Sequence, residues 1–177
     1  MAIQKIIRMG HPTLRLLAPP YPRDKIGSPE FNTLIQDMRE TLEDSGGIGL
    51  AAPQINVSSQ IVIIEIEDTS TRYGEIQAVP FSVFINPVIT VIDEEKAGYW
   101  EGCLSVPGMM GYVERPQQVH IDYLDESASA HSAEFEGFLA TVFQHEFDHL
   151  QGKLYIDRMR DPTRFSFEDE YREYHQE

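Results

Sequence analysis

The segment from residue 137 to residue 150 constrains the fold most, because it combines helical spacing with chemically reactive side chains. Its second half reads Gln-His-Glu-Phe-Asp-His-Leu, which places His145 and His149 four positions apart and Glu146 beside the first histidine. Residues at i and i+4 share a helix face, so both imidazoles can reach one metal ion. Taken alone, the pattern also fits a solvated helix whose histidines are satisfied.

The rest of the chain predicts a second helix and a β-rich middle. Ser28-Pro29 is a typical helix start, and the following apolar spacing ends at Gly46. Runs rich in Ile and Val, or alternating in polarity, predict strands at Gln60–Glu67, Ser82–Ile92 and Gln118–Tyr123. The polar segment Thr69–Pro80 is interpreted as a surface excursion. Gly152 stands where a C-terminal cap would follow the metal-binding helix.

These elements predict the fold class and the domain organisation. With 177 residues and 41% hydrophobic content, the chain is long enough for one well-buried core and short for two. We expect one α+β domain over residues 1–177, with antiparallel or mixed β-sheets packed around a central metal-binding helix.

Composition narrows the environment and the partners. The net charge of −15 counts against general nucleic-acid binding, since most of the surface would repel phosphate. The single cysteine, Cys103, excludes an internal disulfide framework and favours a reducing compartment. Residues 1–15 lack the apolar core of a secretory signal, and the aliphatic run Ile61–Ile64 is too short to cross a membrane. We therefore expect a cytoplasmic protein without membrane or nucleic-acid partners.

Two histidines do not complete a catalytic metal site, which usually has three protein ligands and water. In the metzincin pattern a third histidine lies six residues after the second, where this chain has Tyr155. A thermolysin-like zinc protease would need a later glutamate, and Glu168 and Glu170 stand at plausible distances. A non-catalytic, metal-stabilised binding module also remains open, and it would fill all four coordination positions with protein groups.

Cys103 is the other candidate for the third ligand. It lies in Glu101–Ser105, Glu-Gly-Cys-Leu-Ser, where the glycine permits close backbone approach and a thiolate suits a soft divalent metal. A lone cysteine is more often a small buried apolar residue. A further motif, Gly47–Gln54, leaves room for a ligand beside the main chain, although a tight turn into a strand would explain its glycines equally well.

Taken in order, GIGLAAPQ (47–54), EGCLS (101–105) and QHEFDHL (144–150) resemble the three signature motifs of peptide deformylases. The resemblance extends along nearly the whole chain. It implies a hydrolase that removes the formyl group from N-formylmethionine at the N-terminus of nascent proteins and releases formate. The implied partners are N-formylmethionyl nascent peptides and a transient contact with the ribosome.

The resemblance also implies the metal site. Cys103, His145 and His149 are expected to bind one divalent ion. Kinship suggests Fe²⁺ as the physiological metal, with Zn²⁺, Ni²⁺ or Co²⁺ able to replace it, whereas the ligand types alone would suggest zinc. Glu146 is implied as the general acid and base, and Gln54 with the backbone N–H of Leu104 as the groups that stabilise the oxyanion.

Substrate contacts are predicted in two ways. By helical geometry, Phe138, Thr141 and Val142 lie seven, four and three residues before His145, and could enclose a methionine side chain. Ordinary core packing would explain the same residues. By resemblance, backbone groups of the peptide-binding segments pair with an extended substrate and an arginine contacts it; the residues at these positions are Ile48, Gly49, Gly102 and Arg115. Arg115 could equally be a surface ion-pair partner.

The chain departs from the family pattern at two places. Asn56 occupies a position where glycine is usual, and asparagine tolerates a left-handed backbone better than most residues. The chain after Asp157 is too short for the long C-terminal helix of some bacterial members. That second departure leaves open any ribosome-docking mode that depends on such a helix.

Overall fold

The computed structural model describes residues 2–66 and 78–176, together with the backbone of residues 70–71 and 74–75. The α-helices are α1 (Pro29–Ser45), α2 (Gly137–Leu150) and α3 (Glu168–Tyr174). The strands are β1 (Gly49–Ala51), β2 (Ile61–Ile66), β3 (Ser70–Thr71), β4 (Gly74–Glu75), β5 (Val79–Cys103), β6 (Val106–Leu124), β7 (Ala130–Glu136) and β8 (Phe165–Phe167). Short 3-10 helices cover Pro12–Arg15, Arg23–Lys25, Ala52–Ile55, Tyr155–Asp157 and Pro162–Arg164.

Within the described residues, six strands form one antiparallel sheet in the order β1-β2-β5-β6-β7, with β8 paired to β6. The long β5–β6 hairpin is its centre, and its register runs from Ile85 opposite Leu124 to Cys103 opposite Val106. β3 and β4 form a separate two-stranded pair. The expected α+β class is confirmed, and the pairing is antiparallel throughout.

The core has two layers, one on each face of the sheet. Successive residues of a strand point to opposite faces. Val62, Ile64 and Ile66 of β2 pack into the cluster that includes Phe143 and Phe147 of α2. Ile61 and Ile63, on the other face, join the cluster formed with α1. The uninterrupted apolar run of β2 is thus explained by burial on both faces.

Both predicted helices are confirmed. The Ser28 hydroxyl accepts a hydrogen bond from the Phe31 N–H at 3.2 Å, and Gly46 ends α1 in the left-handed conformation. Gly152, just beyond α2, has φ +67°, and a Cβ there would lie 2.7 Å from the Arg15 carbonyl. Asn56 also adopts the left-handed conformation, with φ 65°, as its residue type allows.

The strand predictions were too short in the middle of the chain. β5 and β6 continue far beyond Ser82–Ile92 and Gln118–Tyr123, because the two strands stay paired with each other as far as Cys103 and Val106. The sequence reading also missed β7 and β8. Much of the proposed excursion Thr69–Pro80 lies outside the described residues, but Val79 and Pro80 begin β5. No helix in the described part of the chain is long and apolar enough to cross a membrane.

Candidate active site

Three side chains that could hold a metal converge between α2 and the turn of the central hairpin. Cys103 is the last residue of β5, directly before the turn into β6. His145 and His149 project from one face of α2. One potential ligand atom from each residue lies within 4.8 Å of the others. The Sγ of Cys103 and the Nε2 of His149 are 3.4 Å apart.

The donor set and its spacing fit a divalent metal. Tetrahedral coordination by a thiolate and an imidazole separates the sulfur and nitrogen atoms by about 3.5 Å. Burial lowers the pKa of His149 well below its usual value, so the imidazole keeps a free lone pair. At His145, burial also opposes the charged form, but Cys103 and Glu101 outweigh it and raise the pKa. Cys103 and Glu101, which favour a proton on this ring, also favour a metal cation beside it.

His145 is oriented by a buried carboxylate. Its Nδ1 donates to Oε2 of Glu101 at 2.7 Å, which leaves Nε2 for the metal. Burial would raise the pKa of Glu101, but the charge of Arg115, with hydrogen bonds from His145 and Arg115, holds it below the usual value. Glu101 is therefore a carboxylate that fixes the tautomer and the angle of the ring.

Arg115 lies behind this carboxylate and does not line the substrate cavity. Its side chain is 4% exposed. The Nε–H donates a hydrogen bond to Oε1 of Glu101 at 2.7 Å, and Nη1 donates one to Oδ2 of Asp148 at 2.8 Å. Arg158 also donates Nε to Asp148, at 3.0 Å. The predicted peptide contact of Arg115 is thus wrong for this arrangement. Of the two possibilities, ion pairing is the correct one, although the pair is buried and not at the surface.

Glu146 faces the cavity beside the histidines. Its side chain is buried, and Oε2 has no hydrogen-bond partner among the described residues. Burial raises the pKa of Glu146 to about 7, against the charge of His145. A carboxyl group with this pKa can both accept and donate a proton near neutral pH. Gly49 makes room for it, since a Cβ at Gly49 would lie 2.6 Å from Oε1 of Glu146.

Gln54 directs the N–H donor of its side-chain amide toward Cys103. Its Oε1 accepts the N–H of Ala51 at 2.9 Å, which fixes the orientation of the amide. The Nε2 then donates to Ser105 Oγ at 3.3 Å and to Cys103 Sγ at 3.7 Å. Gln54 is 1% exposed, so this donor is held in place by its surroundings.

These groups open into a cavity of about 340 Å³. Gln54, Cys103, His145 and Glu146 line it, and His149 lies buried behind them. The predicted oxyanion and substrate-binding residues at the cavity wall are Ile48, Gly49, Gly102, Leu104, Phe138, Thr141 and Val142. Val142 also belongs to the apolar core, so the core-packing interpretation holds for that residue, and its contact with substrate stays a prediction. The carbonyl of Ile48 already accepts the N–H of Glu65 at 3.1 Å.

Sequence reasoning missed the buried network that supports the ligands. The only sequence feature that could have indicated Glu101 and Asp148 is that each is an acidic residue inside a signature motif, EGCLS (101–105) or QHEFDHL (144–150). The thermolysin-like alternative fails, since neither Glu168 nor Glu170 belongs to the ligand group found in the described residues. Glu168 instead lines the cavity wall. The three-ligand group also leaves no fourth protein ligand among the described residues, unlike a purely structural metal site.

Comparisons with known proteins show the family of the chain. A model of the polypeptide deformylase family matches residues 3–165. The chain is 42% identical over 170 residues to a peptide deformylase of Leptospira biflexa, covering 96% of this chain and 95% of the relative. It is 44% identical over 167 residues to peptide deformylase 2 of Pseudomonas syringae, covering 94% of this chain and 93% of the relative.

Solved structures share the fold. The class I type b peptide deformylase from Acinetobacter baumannii bound to Met-Ala-Ser superimposes with a TM-score of 0.85 and 32% identity, covering 89% of this chain and 99% of that one. A peptide deformylase from Synechococcus elongatus in complex with actinonin gives a TM-score of 0.79 and 33% identity, covering 93% of this chain and 82% of that one. These matches, joined to the geometry of the site, show that the chain belongs to the peptide deformylase family and is an enzyme of that family.

Proposed function

We propose that this protein hydrolyses the formyl amide of N-formylmethionyl peptides with one divalent metal held by Cys103, His145 and His149. The observation that carries the proposal is the convergence of these three ligands with the buried carboxylate of Glu146 in one cavity. A thiolate with two imidazoles suits Fe²⁺ and Zn²⁺, and also Ni²⁺ or Co²⁺. We propose Fe²⁺ as the physiological ion from the family resemblance.

When bound, the metal would supply Lewis-acid activation of water and lower its pKa toward about 7. Glu146 accepts the proton of the attacking water, because its carboxylate is buried beside the ligands and has a pKa of about 7. The oxygen then attacks the formyl carbon. Glu146 returns the proton to the departing amine, and formate and a free N-terminus are the products.

The developing oxyanion is stabilised by donors that are already in place. The Nε2 of Gln54 is held toward the ligand cluster by the bond between its Oε1 and the Ala51 N–H. The backbone N–H of Leu104 is the second proposed donor, at the turn that follows Cys103. One such donor is typically worth about 10²–10³ in rate, since it costs no reorganisation during the reaction.

We propose that the methionine side chain occupies the part of the cavity formed by Phe138, Thr141 and Val142. The peptide would extend along β1, which is an edge strand of the sheet and can pair with an added strand. Gly49 belongs to β1, and Gly49 and Gly102 both line the cavity. The Acinetobacter baumannii relative whose structure has Met-Ala-Ser bound supports a short peptide as the ligand.

The cellular setting is also proposed. Nascent chains are the source of N-formylmethionine, so we propose a transient contact with the ribosome in the cytoplasm.

The direct test is formate release from formyl-Met-Ala-Ser by the purified protein, before and after removal of its metal by a chelator. We expect turnover only with metal present, and recovery when Fe²⁺ is restored under anaerobic conditions. Turnover that survives complete metal removal would contradict the proposed chemistry.

A further inference from the structure

Ser105 is a fully buried serine in the turn of the central hairpin, directly after Leu104. It is not among the residues that line the substrate cavity, whereas Gln54 and Leu104 are. The hydroxyl oxygen of Ser105 accepts a hydrogen bond from Nε2 of Gln54 at 3.3 Å. Ser105 therefore contacts a proposed oxyanion donor without lining the cavity itself.

The N-terminal segment ties together the backbones that carry these two side chains. The N–H of Ile7 donates to the carbonyl of Gln54 at 2.8 Å. The N–H of Met9 donates to the carbonyl of Ser105, also at 2.8 Å. The pairing of β5 with β6 on either side of the turn holds it as well. Both main chains are thus fixed without the Ser105 hydroxyl, which leaves that hydroxyl to act on the Gln54 side chain.

A side-chain amide has one carbonyl acceptor and two N–H donors. In Gln54 the acceptor is occupied, because Oε1 binds the N–H of Ala51 at 2.9 Å. Nε2 has two neighbours, Ser105 Oγ at 3.3 Å and Cys103 Sγ at 3.7 Å. The two hydrogens on Nε2 point in different directions within the amide plane. A bond from one hydrogen to Ser105 therefore leaves the other directed toward Cys103 and the metal site.

Removal of the Ser105 hydroxyl would leave the first of these hydrogens buried without its acceptor. Gln54 is 1% exposed, so bulk water does not readily replace the lost partner. A buried donor without a partner is costly, which favours rotation of the amide toward another acceptor. The terminal torsion of a glutamine is broad, so the single bond to Oε1 does not fix the amide plane. The bond to Ser105 supplies the second fixed point.

We infer that Ser105 is a positioning residue for the reaction, whose hydroxyl holds the Gln54 amide with its second Nε2 hydrogen facing the oxyanion. This inference rests on the proposed function, in which Gln54 stabilises that oxyanion. The oxyanion develops only as the reaction proceeds, so the orientation of this donor affects the transition state more than the bound substrate. Loss of the hydroxyl should lower kcat and leave KM nearly unchanged.

The test is a double-mutant cycle of Ser105→Ala, Gln54→Ala and the combined variant, measured as formate release from formyl-Met-Ala-Ser by metal-loaded protein. Ser105→Ala should lower kcat about 10-fold, less than the roughly 10²-fold or greater loss expected for Gln54→Ala. KM and metal content should stay within about two-fold of the wild type. In the Gln54→Ala background, Ser105→Ala should change kcat less than about two-fold, since no amide is left to position. Ser59→Ala, which removes a buried hydroxyl outside the cavity wall, is the matched control and should keep the wild-type kcat.

A merely structural role gives a different pattern. Unchanged kcat in Ser105→Ala overturns the inference while the proposed function stands. Loss of metal from Ser105→Ala also overturns it, and so does a loss of kcat of equal size with and without Gln54. Normal kcat in Gln54→Ala removes that donor from the mechanism and the inference with it, although deformylation remains. If the wild-type protein releases no formate from the peptide, the proposed function fails and the positioning role fails with it.

Discussion

Gly49 lies directly against Glu146, so closely that a β-carbon on the glycine would stand 2.6 Å from Oε1 and 2.8 Å from Cδ of the glutamate. The glycine was predicted as a backbone contact for the substrate. The structure shows a further reason for a glycine at this position, since only the absence of a side chain leaves space for the Glu146 carboxylate.

Gly49→Ala should therefore displace the Glu146 carboxylate while leaving the fold intact, because the end of a flexible side chain can move. We expect turnover of formyl-Met-Ala-Ser to fall about 10²-fold, as for a misplaced catalytic group. Thermal unfolding should change little. Full activity in Gly49→Ala would contradict the assigned position of the carboxylate.

Cys103→Ala should strip or strongly weaken the metal. Two imidazoles from one helix leave a catalytic site short of its third protein ligand. The measurement is metal analysis of protein purified and dialysed without oxygen, where the wild type should hold one ion per chain. His120→Ala, which removes a partly exposed histidine of β6 outside the ligand group, should retain it. Unchanged metal content and affinity in Cys103→Ala would exclude the thiolate as a ligand.

Glu146→Ala should keep the metal and lose most turnover, because the carboxylate is assigned to proton transfer. The expected loss is about 10²–10⁴-fold in kcat. Glu146→Gln preserves the size of the side chain but cannot take the proton, so it should show a comparable loss. Metal analysis and formate release are measured on the same preparations. Near-normal turnover with intact metal in either variant would refute the acid and base assignment.

Arg115→Met should destabilise the protein by about 3–5 kcal/mol, because it leaves Glu101 and Asp148 buried with less compensation. The measurement is denaturant unfolding of matched samples. Arg160→Met provides the control, since the pair of Arg160 with Glu114 is exposed and spans 3.9 Å. That control should stay within about 0.5 kcal/mol of the wild type. Equal effects of the two substitutions would show that the buried network contributes little.

The sequence predicted the parts of the fold that local patterns encode. The bounds of α2 follow from helical spacing between Gly137 and the glycine after Leu150, and α1 from its serine cap and terminal glycine. The full length of β5 and β6 did not follow, because the two strands are held by pairing with each other, and β5 is exposed from Asp93 to Lys96 without any apolar residue there. β8 has 3 residues and depends on a partner over 50 positions away.

In the candidate site, too, the residues within motifs could be predicted and the contacts between distant elements could not. The proposed ligands and Glu146 could be named from motifs whose residue types suit metal chemistry. The bond between Glu101 and His145, and the burial of Arg115, depend on three separate elements meeting in space. Local spacing carries no information on such contacts. Glu168 shows the same limit, since the sequence placed it in a tail and the structure places it in the cavity wall.

The most direct test of the account is the selectivity of the metal-loaded protein between formyl-Met-Ala-Ser and acetyl-Met-Ala-Ser. The acetyl group adds a methyl that must fit beside Gln54 and the Leu104 N–H, and overpacking a rigid site is costly. Acetyl amides are also less electrophilic. Release of free amine is measured for both peptides, and mass spectrometry follows any internal cleavage. We expect the formyl peptide to react faster by about 10²-fold or more, with the peptide bonds intact. Comparable hydrolysis of the acetyl peptide, or cleavage within either chain, would contradict the account and favour a metalloprotease.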